Sequence, residues 1–389
     1  MRVNSHLFFL IFARNIGDIV ANQYDPHLLP LKGPQFEGWY IRVVDFDNEI
    51  SFGILWGTVV PENYKAGRNL DYAGILYQPN DAHRRLQSYN FFPSQPRLKC
   101  TVKDGYRVTR DPNQSSPPNF NCAATRTVNI TIKPFETFIH IDLDEAFFSA
   151  KISLHTPWGT NGEGPMGFLS KFPLPLYWFV YSLASSVSEY TFTDRRTNKN
   201  ITNVGGNVFA HMEKNWGNSF PSGWIWAQGF SVPKPMHETL MSTGSVFALE
   251  YGPINLLGFE VIGFFFGYRN YKKQMLINLS PLNALQKITF DECRGNMKLT
   301  LKSFKYRVQI TMSAPPESFS ECLPGPLNNG FRPVASESFV AKAKIIVSKK
   351  DVRLIGRRKL WRIIDVQSFS LAALEFGGKF TCNNVCRAK

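Results

Sequence analysis

Alternation of apolar and polar residues with a period of two is the main pattern along this chain. Such a period is typical of β-strands, in which successive side chains point to opposite faces of a sheet. No segment of the sequence sustains a helical period, so we predict an all-β structure with less than a tenth of its residues in helices. The pattern predicts strands over Phe36–Val44, Glu49–Trp56, Val128–Ile132, Lys298–Ile310 and Phe339–Val347. In the last of these, small or apolar residues alternate with lysines, which favours an edge strand.

Turn-forming residues divide the chain. A glycine- and proline-rich cluster at 159–167 separates two stretches of similar β character, so we predict two halves, 33–160 and 161–389. Each half could close a barrel or a curved sheet. Residues 1–32 form a separate N-terminal segment with a charged start and an apolar run of seven residues, Leu7–Ala13. That length is the lower limit for a signal peptide and is too short to cross a membrane.

The composition is rich in aromatic residues and poor in charge. Of the 389 residues, 43% are hydrophobic, 14% are aromatic and 19% are charged. This balance suits either an aromatic-rich β core or sheets that enclose a large apolar cavity.

The net charge of +14 is concentrated in one segment. Nine basic residues lie between Lys342 and Arg362, where Asp351 is the acidic residue that opposes them. A nucleic-acid partner is not favoured, because no known binding motif accompanies the charge. Peripheral contact with an anionic membrane surface fits an apolar substrate better, and a solvated pair of strands is the plainer interpretation.

Cysteines and glycosylation motifs do not decide the cellular compartment of the protein. The six cysteines are too dilute for a disulfide scaffold and allow 15 pairings: Cys100, Cys122, Cys293, Cys322, Cys382 and Cys386. Acceptor motifs for N-glycosylation occur at Asn113, Asn129, Asn200 and Asn278, and they matter only if the chain is secreted. A secretory or membrane-associated location is slightly favoured.

The stretch from His211 to Gln228 contains the residues best suited to chemistry. In a strand, His211, Glu213 and Asn215 share one face. The same period places Trp224, Trp226 and Gln228 on one face of the next strand. Burying a carboxylate is costly unless it is hydrogen-bonded or protonated, and apolar surroundings keep an acid neutral so that it can donate a proton.

Motifs of other chemistries are missing from the sequence. It has no Gly-x-Ser-x-Gly elbow, His-Glu-x-x-His pair, Walker-type loop or dinucleotide fingerprint. Cys382 and Cys386 lack a second pair of suitable spacing for zinc. We therefore predict no cofactor and no metal.

Ordered motifs over residues 33–378 resemble those of the tocopherol cyclase family. They are Phe36-Glu37-Gly38-Trp39-Tyr40, Gly164-Pro165-Met166-Gly167, Glu213-Lys214-Asn215-Trp216-Gly217, Ser219-Phe220-Pro221, Trp224, Trp226-Ala227-Gln228 and Ala373-Leu374-Glu375-Phe376-Gly377-Gly378. The resemblance implies a lipocalin-like all-β fold in two halves. It also implies an activity that protonates an isoprenoid double bond, so that a phenol oxygen closes a chromanol ring. A more distant group hydrates carotenoid double bonds by the same opening step. Plant members act in plastids, and this N-terminus does not resemble a long transit peptide.

Such a reaction needs an acid, a dry cavity and aromatic faces that tolerate a carbocation. The predicted catalytic residues are Glu213 and Glu37 as candidate acids, with His211 as a proton relay. We predict that the Glu37 and Glu213 motifs converge on one cavity, which takes an apolar isoprenoid or prenyl-quinol. The predicted substrate-binding residues are Trp39, Tyr40, Asn215, Trp216, Trp224, Trp226 and Gln228.

Structural roles are the alternative for each of these residues. Glu37 could pair with Arg42 or Lys214 to pin the two halves together. Glu213 could be a hydrogen-bonded buried acid, the tryptophans ordinary core, and the amides satisfied buried groups. At the level of function, the rivals to a cyclase are a non-catalytic binder of an apolar lipid or terpenoid, and a secreted structural glycoprotein with a degenerate cavity.

Overall fold

A computed structural model gives the structure of the chain. It describes residues 27, 33–63, 70–81, 83–93, 99–103, 119–124, 128–133, 135–160, 162–232, 240–256, 258–350, 361–384 and 386. The predicted signal peptide and the sequon at Asn113 lie outside these residues, as does the central part of the basic segment, 351–360.

Two large antiparallel sheets make up most of the structure, one of them curled into a half-barrel, and the predicted fold class is confirmed. The first sheet has the strand order β4-β3-β2-β1-β12-β10-β9-β8-β7-β6-β5, with β11 paired to β10. Its strands are β1 (Gln35–Asp45), β2 (Ile50–Val60), β3 (Asp71–Gln78), β4 (Gln87–Phe91), β5 (Lys99–Lys103), β6 (Asn119–Ala124), β7 (Val128–Ile132), β8 (Glu136–Asp142), β9 (Ala146–Thr156), β10 (Leu176–Asp194), β11 (Lys199–Val204) and β12 (Val208–Gly217).

The second sheet has the order β16-β15-β14-β13-β22-β21-β19-β18-β17, with β20 paired to β21. Its strands are β13 (Gly223–Ser231), β14 (Ser245–Leu256), β15 (Phe259–Asn270), β16 (Met275–Leu279), β17 (Ala284–Asp291), β18 (Asn296–Ser303), β19 (Tyr306–Ser313), β20 (Leu323–Leu327), β21 (Gly330–Lys350) and β22 (Trp361–Gly378). Described helical segments are short: 3₁₀ turns at Gly167–Lys171, Glu292–Arg294, Pro316–Ser318 and Cys382–Asn384, and an α-helix at Leu240–Thr243. None of the helices in the described ranges is long and apolar enough to cross a membrane.

The chain passes from one sheet to the other at residues 218–222, between β12 and β13. The predicted division at 160 falls inside the first sheet, because β10 pairs with β9 on one side and with β12 on the other. The turn-rich cluster at 159–167 is therefore part of a connection within that sheet. The division into separate domains stays a prediction.

The strand predictions succeed where one run of alternation belongs to one strand. Four of the five predicted strands match, and the predicted run Lys298–Ile310 is two strands, β18 and β19. The alternation continues across their tight connection, in which the Ser303 hydroxyl bonds to the backbone of Tyr306. The predicted edge position of β21 is wrong, since it pairs with β19 on one side and β22 on the other.

Each sheet curls around a core of its own. The first core includes Trp39, Phe52 and Phe148, and the second includes Phe247, Leu299 and Phe369. Further apolar clusters join side chains of both sheets, such as Phe209 with Phe230 and Leu76 with Trp224. The faces of β1, β12, β13 and β22 that turn away from the two cores therefore meet each other.

Two disulfides fasten the C-terminal segment to the second sheet. Cys293 bonds to Cys382, and Cys322 bonds to Cys386. The cysteine pairs are 89 and 64 residues apart in sequence, so each bond restricts a long loop of the unfolded chain.

We expect the double substitution of Cys322→Ala and Cys386→Ala to lower the free energy of unfolding by about 2–4 kcal/mol, because the unfolded chain regains loop freedom. Urea unfolding followed by tryptophan fluorescence measures this change. An unchanged unfolding midpoint relative to the oxidised wild-type chain would contradict it.

Candidate functional site

A cavity opens between the two sheets. The empty volume between its lining atoms is about 870 Å³, a value that includes the solvent-accessible space at its opening. Aromatic rings and carboxyl groups dominate the lining, which includes Tyr40, Glu213, Asn215, Phe220, Trp224, Trp226, Glu250 and Glu375.

The first sheet contributes a tyrosine and a glutamate that are cross-strand neighbours. In the register of β1 and β12, Tyr40 stands opposite Glu213 and Arg42 opposite His211. Directly opposite residues of an antiparallel pair share a face, so these four side chains turn towards the second sheet.

The second sheet contributes a row of three carboxyl groups. Trp226 on β13 stands opposite Glu250 on β14 and opposite Glu375 on β22. Glu375 in turn stands opposite Glu337 on β21. The order across the four strands is thus Glu250, Trp226, Glu375, Glu337. Like charges directly opposite each other destabilise a sheet, so a row of this kind favours protonated carboxyl groups.

One proton is shared between His211 and Glu213. His211 Nδ1 lies 3.2 Å from the Leu183 carbonyl oxygen, which can only accept, so Nδ1 carries a hydrogen. His211 Nε2 lies 2.9 Å from Glu213 Oε2, and that contact needs one further proton on either atom. Trp226 Nε1 donates to the same oxygen at 3.0 Å. Glu213 lines the cavity, whereas His211 is fully buried behind it.

Burial favours the protonated form of the carboxyl groups of the row. It raises the pKa of Glu250 and of Glu337 well above the ordinary value, and nearby carboxylates add to both shifts. Burial also raises the pKa of Glu375, to about 7, although the hydrogen bond from Trp224 works in the opposite direction. The site therefore holds protons at neutral pH, and Glu375 is the member of the row that exchanges its proton near neutrality.

Trp224 is fixed over Glu375 by a glycine. Its Nε1 donates to Glu375 Oε1. The indole lies directly over Gly377, where a Cβ atom would come within 1.9 Å of the ring. Packing therefore explains why a glycine occupies position 377 of the Ala373–Gly378 motif, since any side chain there would displace the indole.

Arg42 joins the two sheets beside the cavity. This fully buried guanidinium donates to the Gln228 side chain and to the Leu371 carbonyl, both of the second sheet. It also lies over the Phe339 ring, 5.0 Å from its centroid. Tyr40 makes a second link, since its hydroxyl donates to Glu337 Oε1 at 2.9 Å.

The structure does not bring the Glu37 carboxylate to Glu213. Glu37 is among the lining residues of the cavity, but its side chain turns to the opposite face of the sheet. There it pairs with Lys214 at 2.9 Å and accepts a hydrogen bond from the His27 backbone. Burial opposes its charge, but the Lys214 ammonium and His27 outweigh burial and lower the pKa of Glu37. An acid held ionised in this way is a poor proton donor. The Glu37 and Glu213 motifs both border the one cavity, as predicted, but the two carboxylates lie on opposite faces of the sheet.

The contacts of Glu37 match one of its structural alternatives, the pair with Lys214, which joins residues of the two predicted halves. Glu37 and Lys214 belong to β1 and β12, neighbouring strands of the first sheet, so their ion pair joins two strands of one sheet. Arg42 is the residue that joins the two sheets.

Three of the predicted substrate-binding residues are turned away from the cavity. The Trp39 ring stacks on Trp56 within the first core, although the residue borders the cavity. Trp216 is stacked between His27 and Tyr177 on the same face as Lys214. Gln228 does not line the cavity and is bound to Arg42. Their positions follow from the strand period, since they alternate with cavity-facing neighbours or lie deeper in the interface.

Asn215 lies at the cavity, where the sequence predicts it, and three carboxyl groups that the sequence did not indicate bear on the site. The buried Oδ1 atom of Asn215, at the cavity, has no hydrogen-bond partner among the described residues. Glu250, Glu337 and Glu375 were not predicted as functional residues. A lone glutamate in an apolar strand, as in Leu249-Glu250-Tyr251, is a signal that could have found them. No group of three or more side chains within the described ranges is placed to hold a metal ion.

The fold and the cavity define an all-β protein with an acidic, aromatic-lined site between two sheets. The sequence matches the tocopherol cyclase-like family over residues 33–378, nearly the whole chain, and the protein belongs to that family.

Comparison with solved structures gives a distant similarity. The crystal structure of "a putative AttH" from Nitrosomonas europaea is similar over 88% of this chain and 92% of its own, at 10% identity and a TM-score of 0.47. No curated protein matches the chain significantly.

The raised pKa of Glu375 predicts that stability falls as pH rises through the weakly acidic range. Between its ordinary pKa of 4.5 and about 7, the folded state holds a proton that the unfolded state has released. Each such group lowers the free energy of unfolding by at most about 1.4 kcal/mol per pH unit in that range. We expect Glu375→Gln to lose less stability between pH 5 and pH 7 than the wild-type protein.

Urea unfolding at the two pH values measures the difference. Glu189→Gln, which changes an exposed carboxylate of the first sheet, is the matched control and should behave as the wild type does. An equal loss of stability in Glu375→Gln and the wild type would contradict a raised pKa.

Proposed function

We propose that this protein catalyses a proton-initiated reaction of an isoprenoid double bond, the intramolecular cyclisation of a prenylated quinol to a chromanol. The observation that carries the proposal is the pair of Glu213 and His211. Their hydrogen bond carries one proton between a buried imidazole and a carboxyl group that lines an aromatic cavity. Membership of the tocopherol cyclase-like family supports the same class of reaction.

The reaction begins with proton transfer from the Glu213 carboxyl group. The proton adds to the less substituted carbon of the alkene, the π bond breaks, and a tertiary carbocation forms. The resulting carboxylate keeps the hydrogen bond from Trp226 Nε1. The quinol oxygen then bonds to the cation, and its hydroxyl proton leaves. Atoms and charge balance without any co-reactant.

The aromatic lining suits a short-lived cation. Tyr40 packs edge-on against Trp226, with ring centroids 5.0 Å apart, and Trp224 closes the same wall. A cation over a desolvated aromatic face gains about 1–2 kcal/mol from each ring. The half-buried positions of Tyr40 and Phe220 leave their rings open to a ligand in the cavity.

We expect Glu213→Gln to abolish chromanol formation and to leave ligand binding nearly intact. Glutamine keeps the shape and an acceptor oxygen but has no acid proton, and general acid catalysis contributes about 10²–10⁴-fold in rate. Chromatography of a prenylated quinol after incubation with each protein measures turnover, and quenching of tryptophan fluorescence measures binding. A wild-type rate for this variant would make Glu213 a structural residue.

Two further substitutions separate the roles around Glu213. His211→Gln should cost less than Glu213→Gln, because water can replace a buried relay. Trp226→Leu should lower the rate more than the affinity, since the cation exists only near the transition state. If the wild-type protein bound prenylated quinols tightly without converting any, the result would favour a non-catalytic binder of apolar ligands.

We also propose that the basic segment brings the protein to anionic lipid, where an apolar substrate is dissolved. Lys342 and Lys344 point outward from β21, while Ala343 and Ile345 between and beside them are buried. Each basic residue near an anionic surface adds about 1 kcal/mol of attraction. We expect stronger sedimentation with phosphatidylserine vesicles than with neutral vesicles.

The double substitution of Lys342→Glu and Lys344→Glu should weaken that binding. Lys133→Glu with Lys171→Glu makes the same change in net charge on exposed residues outside the second sheet and should weaken it less. Equal sedimentation of the wild-type protein with neutral and anionic vesicles would rule out this role.

A further inference from the structure

The proposed cyclisation releases a proton from the quinol hydroxyl group, and an efficient site needs a base to receive it. The Glu213 carboxylate that is left after proton transfer lies on the first sheet, at the alkene in the proposed reaction, so a second carboxylate on the facing sheet is better placed for the hydroxyl proton. We infer that Glu375 is the base that accepts the hydroxyl proton as the carbon–oxygen bond forms. This inference rests on the proposed function and assigns a second catalytic residue to it.

The position of Glu375 suits a base that works together with Glu213. Both residues line the cavity, one from each sheet. Trp226 lies between them, because it stands opposite Glu375 in the strand register and donates its indole hydrogen to Glu213. A quinol ring against Trp226 would therefore have one carboxyl group at its prenyl chain and another at its hydroxyl group.

The hydrogen bonds of Glu375 distinguish it from the other members of the row. The Trp224 indole N–H donates to Oε1, which stabilises the ionised form that a base requires. Glu250 also lines the cavity, but its buried Oε2 has no partner among the described residues. Glu337 does not line the cavity and accepts the Tyr40 hydroxyl.

The groups that face Glu375 set when it is ionised. Glu250 and Glu337 stand in its own sheet, and Tyr40 and Glu213 face it from the first sheet. Arg42 lies deeper in the interface, bound to Gln228. Burial under these groups raises the pKa of Glu375 to about 7, so this carboxylate can both accept a proton and release it near neutral pH.

The proton count closes over one turnover. Glu213 loses one proton to carbon, and Glu375 gains one from the quinol oxygen. The pair of Glu213 and His211 is then restored when a proton passes from Glu375 through the solvent-filled cavity after product leaves. The enzyme returns to its starting state with no net uptake or release.

The pH dependence of turnover tests this assignment. In the wild-type protein, kcat/KM for a prenylated quinol should fall below about pH 7, because Glu375 must be ionised to act as a base. Glu375→Gln should lower kcat by about 10²-fold or more. It should also remove the fall of kcat/KM at low pH, which is the acidic limb of the pH profile.

A second readout separates a base from a structural residue. Quinols with electron-withdrawing ring substituents lose their hydroxyl proton more easily, so they depend less on a base. Glu375→Gln should therefore lose less rate with such quinols than with the unsubstituted one. Glu189→Gln is the control, since it removes an exposed carboxylate of the first sheet outside the cavity. It should keep the acidic limb.

Each outcome bears on a different claim. The role of Glu375 would be overturned if Glu375→Gln kept the wild-type rate and the wild-type fall of kcat/KM at acidic pH. It would also be overturned if the variant lost the same rate with every quinol and kept that fall. Either result would leave the cyclase proposal standing. A wild-type protein that converts no prenylated quinol would overturn the proposed function, and the role of Glu375 with it.

Discussion

The burial of several carboxyl groups between the two sheets is the constraint on which the site depends. An isolated carboxylate in such a place is strongly disfavoured, so each group must be protonated or hydrogen-bonded. The structure uses both solutions. Glu213 is tied to His211 and Trp226, Glu375 to Trp224, and Glu337 to Tyr40. On the other face of the first sheet, Lys214 instead keeps Glu37 ionised. Glutamates on neighbouring strands thus have different partners because of which face of a sheet they occupy.

The two cores and the interface between the sheets therefore contain different kinds of side chains. The interior of each curled sheet is packed with aromatic and aliphatic side chains, which leaves little room for polar chemistry. The row of carboxyl groups lies where the sheets meet, and the cavity lies there as well. The stability of the protein and its proposed chemistry therefore draw on different layers. Substitutions at the interface can change proton affinities without emptying either core.

The sequence predicts the fold better than it predicts the site, and the reason is geometric. Alternation with a period of two is a local property, so the all-β class could be read directly. The same period separates Glu213 from Lys214, but it cannot tell which of two faces meets a second sheet. That is why Trp39 and Trp216 were predicted at the cavity and are found on the opposite face. The row of Glu250, Glu375 and Glu337 depends on pairings between strands far apart in sequence, which no local pattern contains.

The five-residue connection at 218–222 has a consequence for the kind of interface that the protein can tolerate. Two sheets joined by so short a tether meet at an effective concentration of about millimolar or higher. Their contact then needs little affinity of its own, unlike that between two separate subunits. The interface can therefore hold an unfilled cavity, a buried guanidinium and neutral acids, features that would weaken an association between free partners. These polar groups weaken the contact between the sheets, and the short connection compensates because it keeps the sheets close together.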